Sequence, residues 1–89
     1  MEPYTQNKLS DRTFIREFSP DVDPSELVWH RDLNHRIVTI IEGSGWKLQF
    51  DNELPQDLIP GKTIRIPKMV FHRIWKGSDP LKIEITEHD

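Results

Sequence analysis

The run Trp46-Lys47-Leu48-Gln49-Phe50-Asp51 alternates strictly between large apolar and polar side chains, and Leu81-Lys82-Ile83-Glu84-Ile85-Thr86 does so again. A period of two gathers every second side chain on one face of an extended strand, whereas helical winding would scatter the same residues around a cylinder. Shorter runs share this character. Leu27 to Asp32 alternates, Ile37 to Ile41 is β-branched throughout, Thr63 to Ile66 is closed by Pro67, and Val70 to Trp75 follows. Turn-forming stretches separate them: EGSG, ELPQDLIPGK and KGSDP. The spacing predicts at least six short strands and no helix longer than a turn or two. It also predicts a hairpin from Arg36 to Phe50 that turns on Gly43 and Gly45. Strands without a helical crossover imply an all-β antiparallel sandwich or barrel.

Eighty-nine residues fit one domain, and at that size a chain buries only about 60–65% of its unfolded surface. A second copy would add to a core this small, so a homodimer is expected. Two prolines, two aspartates and two serines in SPDVDPSE form a turn cluster. On this reading residues 1–24 are an N-terminal arm, docked on a partner subunit, and residues 25–89 form the β-barrel. The chain carries no cysteine, so any metal would be held by imidazole, carboxylate or water. A formal charge of −3 argues against nucleic acid as a partner. The start has no apolar signal region, and the longest apolar run, Ile37 to Ile41, is far too short to span a bilayer. A soluble protein of the cytoplasm is expected, with no membrane partner.

The stretch VWHRDLNHR concentrates the chemistry: two imidazoles, one carboxylate and two guanidiniums in nine residues. Its HRDL does not belong to a kinase catalytic loop, because the position five after the aspartate is Ile37 rather than asparagine and no glycine-rich phosphate loop is present. His30-Arg31-Asp32 does have the H-x-D form of a facial triad, in which two histidines and a carboxylate hold one face of iron(II). On a strand, His30 and Asp32 would share a face. His72, which opens a strand after a proline stop, is the candidate third ligand.

The segment PGKTIRIPKMVFH resembles the second cupin motif: Gly61, Pro67 and His72 stand at its intervals, with Met69 in place of a small residue and Lys76 in place of a later asparagine. Against the first cupin motif, His30 and Asp32 fall on the paired histidines, Arg36 on the glutamate, Gly43 on the closing glycine and Pro24 on the leading one. The resemblance covers roughly residues 25 to 86, and the wording also resembles small cupin-like proteins of unassigned activity in bacterial viruses, which would place the chain in a host cytoplasm. It implies a small double-stranded β-helix, or jelly-roll barrel, whose pocket joins His30 to His72.

Several functions follow from these residues. In one, a divalent metal (Fe, Mn, Zn or Ni) is held by His30, Asp32 and His72 in a metal-dependent enzyme of the oxygenase or sugar isomerase type. Arg36 opposes this if it points inward, since like charges about 4 Å apart repel by several kcal/mol at an effective dielectric near 20. In another, Asp32 pairs with Arg36, and His30, Arg36, His72 and Gln49, with Arg65 a further candidate, bind a small anionic ligand. The third is a non-catalytic module that docks on another protein. Trp29, Trp46 and Trp75 are expected in the core or at a dimer interface, and Arg73, Lys76 and Lys82 on a solvated face.

Overall fold

The computed structural model describes residues 3–89. Eight strands follow in order: β1 (Tyr4–Lys8), β2 (Thr13–Phe18), β3 (His35–Glu42), β4 (Lys47–Phe50), β5 (Gln56–Asp57), β6 (Thr63–Ile66), β7 (His72–Trp75) and β8 (Leu81–His88). They build two antiparallel sheets, one of five strands in the order β1-β2-β8-β3-β6 and one of three in the order β5-β4-β7. The only helical element among the described residues is a single 3-10 turn, Pro24–Glu26, capped by Asp23, whose carboxylate accepts from the Ser25 N–H at 3.0 Å. Among the described residues no helix is long and apolar enough to cross a membrane.

The alternation seen in the sequence explains the core. Leu81, Ile83 and Ile85 of β8, Val38 and Ile40 of β3, and Ile64 and Ile66 of β6 belong to the core together with Leu48 of the smaller sheet and Trp46 just before it. Large side chains on two facing sheets bury one another, the main favourable contribution to folding.

Three local expectations are corrected. Residues 4–18 do not form an arm apart from the barrel but two strands of its larger sheet. β2 lies between β1 and β8, Phe14 pairs with Ile85 and Phe18 with Leu81 in register, and both rings belong to the core. Residues 1 and 2 lie outside the described part. The turn cluster marks a loop within the domain, since Val22 and Leu27 on either side of it are also core residues. Phe14 and Phe18 stand an even number of residues apart, so a strand turns both to the same face.

The hairpin from Arg36 to Phe50 is likewise absent. β3 pairs with β6 and β8, and β4 with β5 and β7, so EGSG carries the chain from one sheet to the other. Gly45 (φ 79°) takes the left-handed backbone this corner needs. The corner is locked from outside: the Ser78 N–H donates to the Ser44 carbonyl at 2.9 Å, and the buried Trp46 donates its indole N–H to the Asp79 carbonyl. Leu27 to Asp32, expected as a strand, is loop with a single bridge, His30 to His72.

Gly77 lies flat against this corner, where a methyl group would collide with the Ser44 carbonyl oxygen and with Trp46 Cδ1. Gly77→Ala is expected to lower stability by at least the about 1–3 kcal/mol typical of overpacking. Urea denaturation followed by tryptophan fluorescence measures it.

Candidate metal centre

His30 and His72 exchange two backbone hydrogen bonds, His30 N to His72 O at 3.0 Å and His72 N to His30 O at 2.9 Å. Residues directly opposite in an antiparallel pair project their side chains to the same face, and the two rings meet edge to face with centroids 4.3 Å apart. Asp32, two residues on, is held by its own carbonyl, which accepts the Met69 N–H at 2.8 Å. One ligand atom from each of His30, Asp32 and His72 lies within 4.8 Å of the others.

Backbone carbonyls fix both tautomers. His72 Nδ1 lies 2.8 Å from the Val70 oxygen, and His30 Nδ1 lies 3.0 Å from the Val28 oxygen. A carbonyl oxygen only accepts, so each Nδ1 carries the proton and donates it, leaving Nε2 with a lone pair. Such a partner on the far nitrogen is the usual support of a metal-binding imidazole.

Asp32 supplies the complementary observation. The residue is only 9% exposed, and its Oδ2 is buried without a hydrogen-bond partner, 3.3 Å from His72 Nε2. Two lone pairs therefore face each other in a site with little water. That arrangement is unfavourable unless a positive charge joins them. The residues present fit a divalent cation.

Arg36 reaches this site from β3 and is nearly buried, at 15% exposed. Its Nη1 lies 3.2 Å from Asp32 Oδ1, and its Nε donates to Glu87 Oε2 at 3.0 Å. The pair with Asp32 expected from the sequence is thus formed, and it leaves Oδ2 free. Two carboxylates against one guanidinium give the cluster one net negative charge, so the repulsion expected from Arg36 is offset by Glu87. Glu87, directly opposite Arg36 in register, is the site residue that sequence reasoning missed. Its signal was present, since it continues the inward series Leu81, Ile83, Ile85 by one more step of two.

The remaining expectations divide. Gln49 does not join the site. Leu48 faces the core, so Gln49 takes the opposite face of β4, where it accepts from Trp75 Nε1 at 2.9 Å and from Arg73 Nε at 3.4 Å. Arg65 points outward between the buried Ile64 and Ile66. Trp46 is a core residue, whereas Trp29 and Trp75 are about 40% exposed and enclose the Arg73 guanidinium, at 4.9 Å and 4.0 Å from their ring centroids. Arg73 is therefore stacked rather than simply solvated. His35 and His88 stack on each other at 5.3 Å, outside the three-residue cluster.

Behind the cluster the two sheets enclose a cavity of about 280 Å³, which includes His30, Asp32, Arg36 and His72 in its wall. Facing antiparallel sheets around a cavity with two imidazoles and a carboxylate define a small cupin jelly-roll. Solved structures agree. The chain is similar to DMSP lyase DddQ from Ruegeria pomeroyi DSS-3 (TM-score 0.82, 14% identity), covering 98% of this chain and 47% of the lyase. It is similar to HppE in a cobalt(II) complex (TM-score 0.75, 15% identity, covering 99% and 55%). A cupin superfamily protein from Desulfitobacterium hafniense DCB-2 aligns at TM-score 0.65 and 25% identity, over 97% of this chain and 76% of that one. The chain thus spans about half the length of the lyase and of HppE. No protein-family model matches it, and no curated protein does.

Burial holds the His72 imidazole below its ordinary pKa; His30 and Arg36 act in the same direction, against the Val70 hydrogen bond and Asp32. At neutral pH the folded and unfolded forms are both mainly uncharged at this residue. As pH falls through the unfolded value of about 6.5, the unfolded chain takes up a proton that the folded one resists, so stability declines toward the lower folded pKa. The metal-free protein is expected to show a lower urea midpoint at pH 5.5 than at pH 7.5. The difference should shrink in His72→Asn.

Proposed function

We propose that this protein binds one divalent transition-metal ion through His30 Nε2, Asp32 Oδ2 and His72 Nε2, and that it binds a small molecule in the cavity beside that ion. The observation that carries the reading is the buried Asp32 Oδ2, without a hydrogen-bond partner and facing an imidazole lone pair. Two histidines and one carboxylate are the donor set of the iron(II) facial triad. The solved structures similar to this chain include HppE with iron(II) and with cobalt(II). A bound ion would supply Lewis-acid polarisation of a ligand oxygen or, as iron(II), oxygen chemistry.

The chain's own residues have separable tasks. The Val28 and Val70 carbonyls orient the imidazoles, Arg36 holds Asp32 by its other oxygen, and Glu87 holds Arg36 through Nε. A sugar isomerase fits less well, because a polyol needs many hydrogen-bonding groups and most of the cavity wall is aliphatic.

Metal uptake is the direct test. After reconstitution with iron(II) under anaerobic conditions, or with Mn, Co, Ni or Zn, elemental analysis is expected to find one ion per chain, and none in His72→Ala. Substoichiometric metal in the unmutated protein would overturn the reading. Free ion at 100 times its Kd should add about 2.7 kcal/mol, or about 10–20 °C in Tm for a domain of this size.

Asp32→Asn separates this reading from a purely structural ion pair. The new amide can donate to His72 Nε2, a gain of about 1 kcal/mol that offsets the weaker pair with Arg36, so the metal-free variant is expected to change little in stability while losing metal uptake. If Asp32 served only to pair with Arg36, the same change would lower the stability of the metal-free protein.

A further inference from the structure

The polar groups of the cavity wall are unevenly placed. His30, Asp32, Arg36 and His72 gather at one end, while Val38, Ile64, Ile66 and Ile85 of the larger sheet face Leu48 and Ile74 of the smaller one along the rest. Glu26, Val28 and His30, the exposed members of the wall, mark the opening. Arg16 also borders the cavity, with its guanidinium on the Tyr4 ring at 3.7 Å and two N–H groups on Gln6 Oε1 at 3.0 and 2.7 Å.

At the polar end most of the hydrogen-bonding capacity is committed inside the protein. Each imidazole Nδ1–H is given to a backbone carbonyl, and Arg36 directs Nε to Glu87 and Nη1 to Asp32. Apart from Tyr4, Arg16, whose guanidinium is engaged by Tyr4 and Gln6, and Glu26 at the opening, a ligand therefore meets one point of polar attachment, the face between the Nε2 atoms and Asp32 Oδ2, with apolar wall elsewhere. A second polar group carried inward would be stripped of water with nothing to bond to.

We propose that the cavity selects molecules with one polar head group and a compact hydrocarbon body, of the class of short monocarboxylic acids, and rejects dicarboxylates and sugars. The attachment of the head group rests on the metal reading above; selection of the body rests on the wall alone. The space is small. At about 280 Å³ it lies at the lower end of the size of small-molecule pockets.

A ligand series read by titration calorimetry tests this, with metal content measured on the same samples. On metal-loaded protein, butanoate, pentanoate and hexanoate are expected to bind about fourfold more tightly per added methylene. Succinate, which carries a second carboxylate where butanoate has its methyl group, should bind at least about tenfold more weakly than butanoate. On metal-free protein, 1-butanol, 1-pentanol and 1-hexanol should show the same increment per methylene. Metal uptake together with a flat series, or with succinate as tight as pentanoate, would overturn the selectivity and leave the metal reading standing. Increments in the alcohol series without metal uptake would do the reverse.

Discussion

Two backbone hydrogen bonds between His30 and His72 hold the site together. The loop that carries His30 and Asp32 belongs to neither sheet, so its position depends on a few attachments: this bridge, the Asp32 carbonyl on the Met69 N–H, and the burial of Leu27. The bridge sets more than distance. Because it pairs the two histidines directly, it turns both rings to the same side and places Asp32 two residues along the same extended course. The turn from Pro67 to Val70 then serves both partners, holding Asp32 through the Met69 N–H and orienting His72 through the Val70 carbonyl. Met69 has a φ of 65° there, a left-handed backbone that a long side chain adopts at some cost. This is the position where the cupin motif has a small residue, which gives that preference a physical basis.

The charge pattern differs from the cupin pattern in a specific way. Arg36 stands where the first motif has a glutamate, and the carboxylate Glu87 sits directly across from it on β8. The acidic group has in effect moved one strand over, and a guanidinium occupies the original position. Such a replacement would be unfavourable beside a cation if Arg36 were unpaired. Flanked by Asp32 and Glu87, it instead holds the Asp32 carboxylate by Oδ1. The result is a cluster of three groups, His30, Asp32 and His72, that could hold a metal ion.

Much of this was legible in the sequence, and the failures have common causes. Alternation located β4, β6 and β8 closely, and the spacing of Gly61, Pro67 and His72 identified the turn that delivers the second histidine. Register and sheet membership were not local properties. The glycines of EGSG permit a hairpin or a corner equally, and the choice was made by Gly77 and Trp46, more than thirty residues apart in sequence. Phe14 and Phe18 belonged to a segment too short to show its period, so its pairing with β8 was invisible. Gln49 was misplaced because the alternation that found its strand was not followed to its consequence, that the neighbour of an inward Leu48 faces outward. Glu87 was lost by ending the last strand two residues early, at Thr86 rather than His88.

The position of β8 in the larger sheet bears on how the chain acquires its shape. It lies between β2 and β3 and pairs with both along nearly its whole length, yet it is the last strand in sequence. During synthesis from the N-terminus, β1, β2, β3 and β6 are all made before the strand that joins them into one sheet. Until residues 81–88 have emerged, the facing edges of β2 and β3 have no common partner, and exposed edges invite pairing with other nascent chains. Closure must then bring together segments about seventy residues apart, a topology of high contact order for which slow folding is the general rule.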